Sequence, residues 1–387
     1  MLTLRLPLAD GTLAPYAVRH APLVAGGAGP FNRIAYAAAH VVVDPLAASD
    51  PWLDGHIDWD ATIGFRNYLW DLGLGVAEAM DTAQRGMGLT WPQAQELIHR
   101  SLAAARGRDG AVIACGVGTD HLQITPGLTL ADIIAAYEEQ LALVESEGGR
   151  VILMASRALA AIARGPDDYA HVYGHLLSQA RQPVILHWLG EMFDPALAGY
   201  WGSADHMAAM ETCLAVIRDH AAKVDGIKIS LLSADKEIAM RRRLPAGVCM
   251  YTGDDFNYAD LIAGDAQGHS DALLGIFDAI APAASAGLAA LARGDEAEFR
   301  AILEPTVPLS RHIFAAPTRF YKTGVVFLAY LNGFQSHFHM LGGQQSARSI
   351  LHLAELFRLA DTARVLRDPD LAMSRMRQVL AVAGVDS

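Results

Sequence analysis

One unit recurs through the middle of the sequence: a short, largely apolar run, a turn, and an amphipathic helix. The runs are Ile34–Val43, Gly75–Met80, Ala111–Val117, Val151–Ala155, Pro183–Leu189, Val224–Leu232, Gly247–Tyr251 and Leu273–Phe277. Runs that do not alternate apolar with polar suit parallel strands covered on both faces. The intervening helices have readable starts. Thr90-Trp91-Pro92-Gln93 has the form of a capping box, after which Trp91, Ala94, Leu97, Ile98 and Leu102 share one helical face. Thr129-Leu130-Ala131-Asp132 opens another helix, which Gly148-Gly149 ends. Eight strands separated by helices predict an α/β chain folded as a (β/α)8 TIM barrel. The rival, a doubly wound open sheet, lacks a G-x-G-x-x-G after any candidate strand.

The repeat stops at Pro282. Alanine-rich helices are expected from about Ala283 to Leu303, then across Phe320–Tyr330, Ser346–Leu359 and Leu371–Val382. The expected organisation is therefore an N-terminal arm (1–33), a barrel (34–282) and a C-terminal helical extension (283–387), with no linker dividing the chain. Just over half of the 387 residues are apolar, enough for a large core. A net charge of −12 without a basic block argues against a nucleic-acid partner. No run of about 18 apolar residues is present to span a membrane. The first twenty residues alternate rather than forming a signal peptide's apolar stretch. Cys115, Cys213 and Cys249 are widely separated, and a reduced, cytoplasmic protein is expected.

Lysine is scarce, with four (Lys223, Lys228, Lys236 and Lys322) among 30 basic residues. One of them stands inside an apolar strand, Val224-Asp225-Gly226-Ile227-Lys228-Ile229-Ser230. Removal from water lowers an amine's pKa and makes a neutral nucleophile available near pH 7. The plain alternative is a lysine paired with a carboxylate such as Asp254 or Glu78, or one reaching solvent.

The stretch from Asp225 to Lys236 resembles the sixth strand of the dihydrodipicolinate synthase and N-acetylneuraminate lyase family, whose imine-forming lysine lies in a Gly-Ile-Lys motif. Gln182–Leu186 is similar to that family's fifth strand, Ala114–Gly118 to its third, and Tyr251-Thr252-Gly253-Asp254-Asp255 to the end of its seventh. The similarity spans approximately residues 34–335. It implies a class I lyase or aldolase with Lys228 as the Schiff-base residue, no cofactor, a small carbonyl substrate, and a homo-oligomer, dimer or tetramer. The departures matter as much. Where the family carries a proton-shuttling tyrosine, this chain has His187. The family's Thr-Thr-Gly-Glu carboxylate clamp corresponds to Gly75-Val76-Ala77-Glu78, and its tyrosine pair near strand four to Ser156-Arg157. Pyruvate is therefore not implied as the substrate.

His187 is expected to move protons, since imidazole titrates near neutrality. Glu78, Asp81, Asp120, Arg157, Ser230 and Asp254 are the candidates for substrate contact, and Arg157 suits a carboxylate. Glu78 or Asp254 is further expected to orient the lysine or the histidine. The substrate class is a small oxo acid or a keto-sugar derivative. Two other readings stand beside this one. The first is a metal-dependent sugar isomerase, epimerase or class II aldolase using His40, Glu78, His187 and Asp254. The second is a metabolite-binding barrel without turnover. His171/His175 and His337/His339 lack the HExxH form and read as surface residues.

Overall fold

The computed structural model of the chain describes residues 3–23 and 29–386. Eight parallel strands close into a barrel, each paired with its neighbour in the chain and the last with the first. After an antiparallel hairpin, β1 (Leu4–Pro7) and β2 (Leu13–Tyr16), the barrel strands are β3 (Ala35–Ala38), β4 (Gly75–Glu78), β5 (Ile113–Val117), β6 (Arg150–Leu153), β7 (Val184–Leu189), β8 (Val224–Ser230), β9 (Cys249–Thr252) and β10 (Asp271–Leu274). All eight anticipated runs become barrel strands, and the (β/α)8 fold is as expected. The last run is displaced. Its strand ends at Leu274, Gly275 turns the chain, and Phe277 lies in a short helix, Ile276–Ala279, rather than in the sheet.

Both anticipated capping boxes are present. Thr90 and Gln93 start the helix Trp91–Arg106, and Thr129 and Asp132 start Leu130–Ser146. In each, the side chain at N3 satisfies a backbone N–H that the helix leaves unpaired.

Successive strand side chains alternate between the barrel interior and the helices outside. The interior is filled by Tyr36, Ala38, Ala77, Ala114, Ile152, Ile185, Tyr251 and Leu273, with Met80 and Met154. On β7 and β8 this parity turns His187, Gly226, Lys228 and Ser230 inward. Two glycines make room for it. A Cβ on Gly226 would stand 2.5 Å from the Tyr251 ring, and one on Gly253 would stand 2.7 Å from Lys228 Cε.

Beyond the barrel, the expected Ala283–Leu303 segment is two helices, Ala281–Ala292 and Glu296–Leu303. They part where Gly294 takes φ +82° and Asp295 caps the second through the Glu298 N–H at 2.8 Å. A helix not anticipated, Val307–Ile313, follows, and then Tyr321–Leu331, whose residues are all buried. The Tyr321 hydroxyl lies 2.8 Å from Thr82 Oγ1, beyond the end of β4, so this helix is seated on the barrel mouth. The last two helices are Ile350–Thr362 and Pro369–Val382. The N-terminal hairpin rests on the first of these. Tyr16 donates to Asp361 at 2.6 Å, and its ring meets Phe357 edge-on. No helix among the described residues is long and apolar enough to cross a membrane.

Candidate active site

Lys228 is buried, with 8% of its surface exposed, and its in-register neighbours on the flanking strands are His187 and Tyr251. Burial lowers its pKa from the ordinary lysine value, opposed by the negative charges of Asp255 and Asp81. Among the described residues no carboxylate reaches ion-pair distance of the amine. The two partners named for a merely structural lysine are engaged elsewhere. Glu78 accepts two bonds from Arg66 (2.8 and 2.9 Å), one from Ser101 and one from the Ala79 N–H. Asp254 accepts from the Asn257 side chain at 2.8 Å and from the N–H groups of Phe256 and Asn257.

Strand parity explains both cases. Ala77 faces the interior, so Glu78 points out towards the helices Trp59–Asp71 and Trp91–Arg106. Tyr251 faces inward, so Asp254 falls on the outer side and Asp255 on the inner. As a substrate contact or an orienting carboxylate, Glu78 is corrected to a structural anchor and Asp254 to a loop cap. The acid beside Lys228 is Asp255, which sequence reasoning missed. It accepts the Ile276 N–H at 2.9 Å, and burial pushes its pKa up to about 7.

His187 is fully buried, and its Nε2 lies 3.3 Å from Ser230 Oγ. Burial, and secondarily the Lys228 charge, hold its pKa well below the ordinary value, so the ring is neutral at pH 7. Its Nδ1 has no partner among the described residues. A buried polar nitrogen left unpaired costs about 1–3 kcal/mol.

Above this layer a cavity of about 310 Å³ opens at the C-terminal ends of the strands. Ligand sites start at about this size. Asp81, Arg157, Asp194, Arg319, Tyr321, Lys322 and Gln344 contribute its polar lining. Lys228 is not part of that lining. Leu189 is, and Leu189 pairs in register with Ser230, so the Lys228 Cα lies two residues deeper along β8. Asp81 connects the two levels, acting electrostatically on both Lys228 and Lys322. Arg157 lies at the mouth and is ion-paired with Asp194. Asp120 lines a second cavity of about 190 Å³, where Arg85 holds it at 2.9 Å and Gln140 at 3.2 Å.

Lys322 carries more than its sequence position suggested. It is buried, donates to the Arg319 carbonyl at 3.1 Å and to Met87 Sδ at 3.3 Å, and lies over the Tyr321 ring. Burial brings its pKa down to about 8.

Among the described residues no three His, Cys, Asp or Glu side chains gather where one metal ion could sit. The four suggested ligands are dispersed. His40 bonds Asp278 at 2.8 Å, and Glu78 and Asp254 face away from the barrel axis. His175 meets Glu138 at 2.9 Å on the outer helices.

Residues 4–385 match a family described as "Protein of unknown function (DUF993)". No curated protein matches the chain. Among solved structures, a dihydrodipicolinate synthase from Thermotoga maritima is similar at 14% identity and TM-score 0.65, covering 87% of this chain and all of that one. A putative dihydrodipicolinate synthetase from Pseudomonas aeruginosa is similar at 17% identity and TM-score 0.63, again over 87% of this chain and all of that one. The dihydrodipicolinate synthase from Aquifex aeolicus follows at 12% and 0.61, covering 91% and 98%. The likeness is one of fold, and at this coverage it reaches beyond the barrel into the helical extension.

Proposed function

We propose that this chain, which belongs to the DUF993 family, is a Schiff-base lyase or aldolase with Lys228 as its amine. The observation that carries this reading is an inward-facing, buried amine without a bonded carboxylate, flanked by a neutral imidazole and an acid whose pKa is about 7. Lys228 in its neutral form attacks the carbonyl carbon, giving a carbinolamine. Asp255, present in both protonation states near neutrality, gives a proton to the departing hydroxyl. Water leaves and an iminium ion remains. The cation draws electrons from the adjacent carbon. Loss of a proton from that carbon, or cleavage of its bond to a hydroxyl-bearing carbon with loss of the hydroxyl proton and release of an aldehyde, then yields a neutral enamine. His187, with one ring nitrogen uncommitted, accepts and returns that proton. The substrate is a small carbonyl compound, and the lack of a Thr-Thr clamp in Gly75–Glu78 points away from pyruvate itself.

The test incubates the protein with oxo acids and keto-sugars in the presence of borohydride and maps the reduced adduct by peptide mass spectrometry. Modification of the Lys228 peptide is expected. A second reading has one observation in its favour, because Lys322 lines the cavity directly and Lys228 does not. An adduct on the Lys322 peptide would move the chemistry to that residue.

Once a substrate is found, His187→Asn is expected to lower turnover roughly 10²–10⁴-fold, the range for loss of a general acid–base group. The borohydride adduct on Lys228 should still form, because imine formation precedes the step assigned to His187. Loss of trapping together with turnover would give His187 a purely structural role.

A further inference from the structure

The cavity lining carries charge opposite to that of the chain as a whole. In a protein of net charge −12, Arg157, Arg319 and Lys322 face two carboxylates, Asp81 and Asp194. Arg157 and Asp194 neutralise one another. Lys322 and Arg319 have no carboxylate within ion-pair distance among the described residues, and Asp81 offsets only one of them. An ammonium carries three N–H donors. Lys322 spends one on a carbonyl and one on a thioether, a weak acceptor, and among the described residues its third has no hydrogen-bond acceptor. The Arg319 guanidinium lies over the Phe320 ring and bonds no acceptor among the described residues, at an exposed position on the rim.

We infer that Lys322 and Arg319 form a subsite for the anionic oxygen group of the substrate, a carboxylate or a phosphate, above the Lys228 amine. The inference rests on the lyase reading for the word substrate, and it selects an anionic substrate, an oxo acid or a phosphorylated keto-sugar, over a neutral keto-sugar. Both residues come from the C-terminal extension, so the anion is gripped by a segment outside the barrel. Asp81, on the same wall, remains available to accept from a substrate hydroxyl.

Calorimetric titration of the full chain with malonate and, separately, with inorganic phosphate tests the subsite, and the two arms tell a carboxylate site from a phosphate site. Wild type is expected to bind at least one of these anions. Lys322→Gln should weaken that binding roughly ten- to hundredfold, as for loss of a charge-assisted hydrogen bond. Lys322→Arg should retain it, whereas an imine-forming role for Lys322 would not survive that change. Binding should also fade as pH rises through about 8 in wild type and persist in Lys322→Arg. The groups facing Lys322 are Asp81, Arg157, Asp194, Arg319 and Tyr321, and of these Tyr321 titrates well above the ordinary tyrosine value.

Arg319→Gln, at an exposed position, supplies a variant whose folding is not in question should Lys322→Gln prove unstable. Its affinity should fall several-fold. Failure of wild type to bind either anion, or affinity unchanged in Lys322→Gln, overturns the subsite. Where Lys322→Gln does not fold, unchanged affinity in Arg319→Gln with a flat pH profile does the same. Lys228→Met separates the two proposals. It should lose the borohydride adduct while keeping anion binding, so either claim can fall without the other.

Discussion

Lys228→Met is expected to abolish borohydride-dependent incorporation of a carbonyl compound and to lower turnover on the order of 10⁴-fold, the scale on which loss of a covalent nucleophile is felt. Methionine is close to lysine in length and shape but has no nucleophilic nitrogen. It also carries no charge to be desolvated, so the thermal midpoint should not fall. That combination separates lost chemistry from lost folding. Trapping on the same peptide at the wild-type level would be impossible in this variant. Trapping at Lys322, or turnover within tenfold of wild type, would remove Lys228 from the mechanism.

Arg66→Ala is expected to cost about 3–5 kcal/mol, because it strands the Glu78 carboxylate inside the protein. Both side chains are 0% exposed, and the guanidinium also donates to the carbonyls of His40 and Thr62. At this chain length the loss corresponds to a Tm lower by roughly 4–6 °C. The double variant Arg66→Met with Glu78→Gln should recover much of it, since two neutral groups of similar volume leave no buried charge. Differential scanning calorimetry on the single and double variants measures both. A single variant within 1 kcal/mol of wild type would mean that water reaches Glu78 and the pair is not sealed.

The barrel was legible because parallel strands covered on both faces are written as largely apolar runs without alternation, and the eight runs in this sequence have that form. Lys228 and His187 were legible for the same reason: a polar residue in such a run stands out. The errors concerned orientation. Glu78 and Asp254 were chosen for their place in motifs, yet the alternation that turns Lys228 inward turns both of them outward. Counting by twos from Tyr251 passes through Gly253 to Asp255, so the signal for that acid lay in the sequence, unused. Lys322 stood in an apolar helix, Tyr321–Leu331, much as Lys228 stands in an apolar strand. What the sequence did not carry was the packing that lays this helix over the barrel mouth.

The hydrogen bond between Tyr16 and Asp361 joins positions 345 residues apart, and the helix bearing Lys322 emerges late in synthesis. A ribosome will have released all eight strands, with Lys228 already among them, before the roof of the cavity exists. The helix that covers the mouth is among the last parts of the site to appear, so the cavity takes its shape only when the C-terminal helices dock on the barrel. A chain cut short after the barrel is thus expected to lack the Arg319 and Lys322 contacts of the cavity.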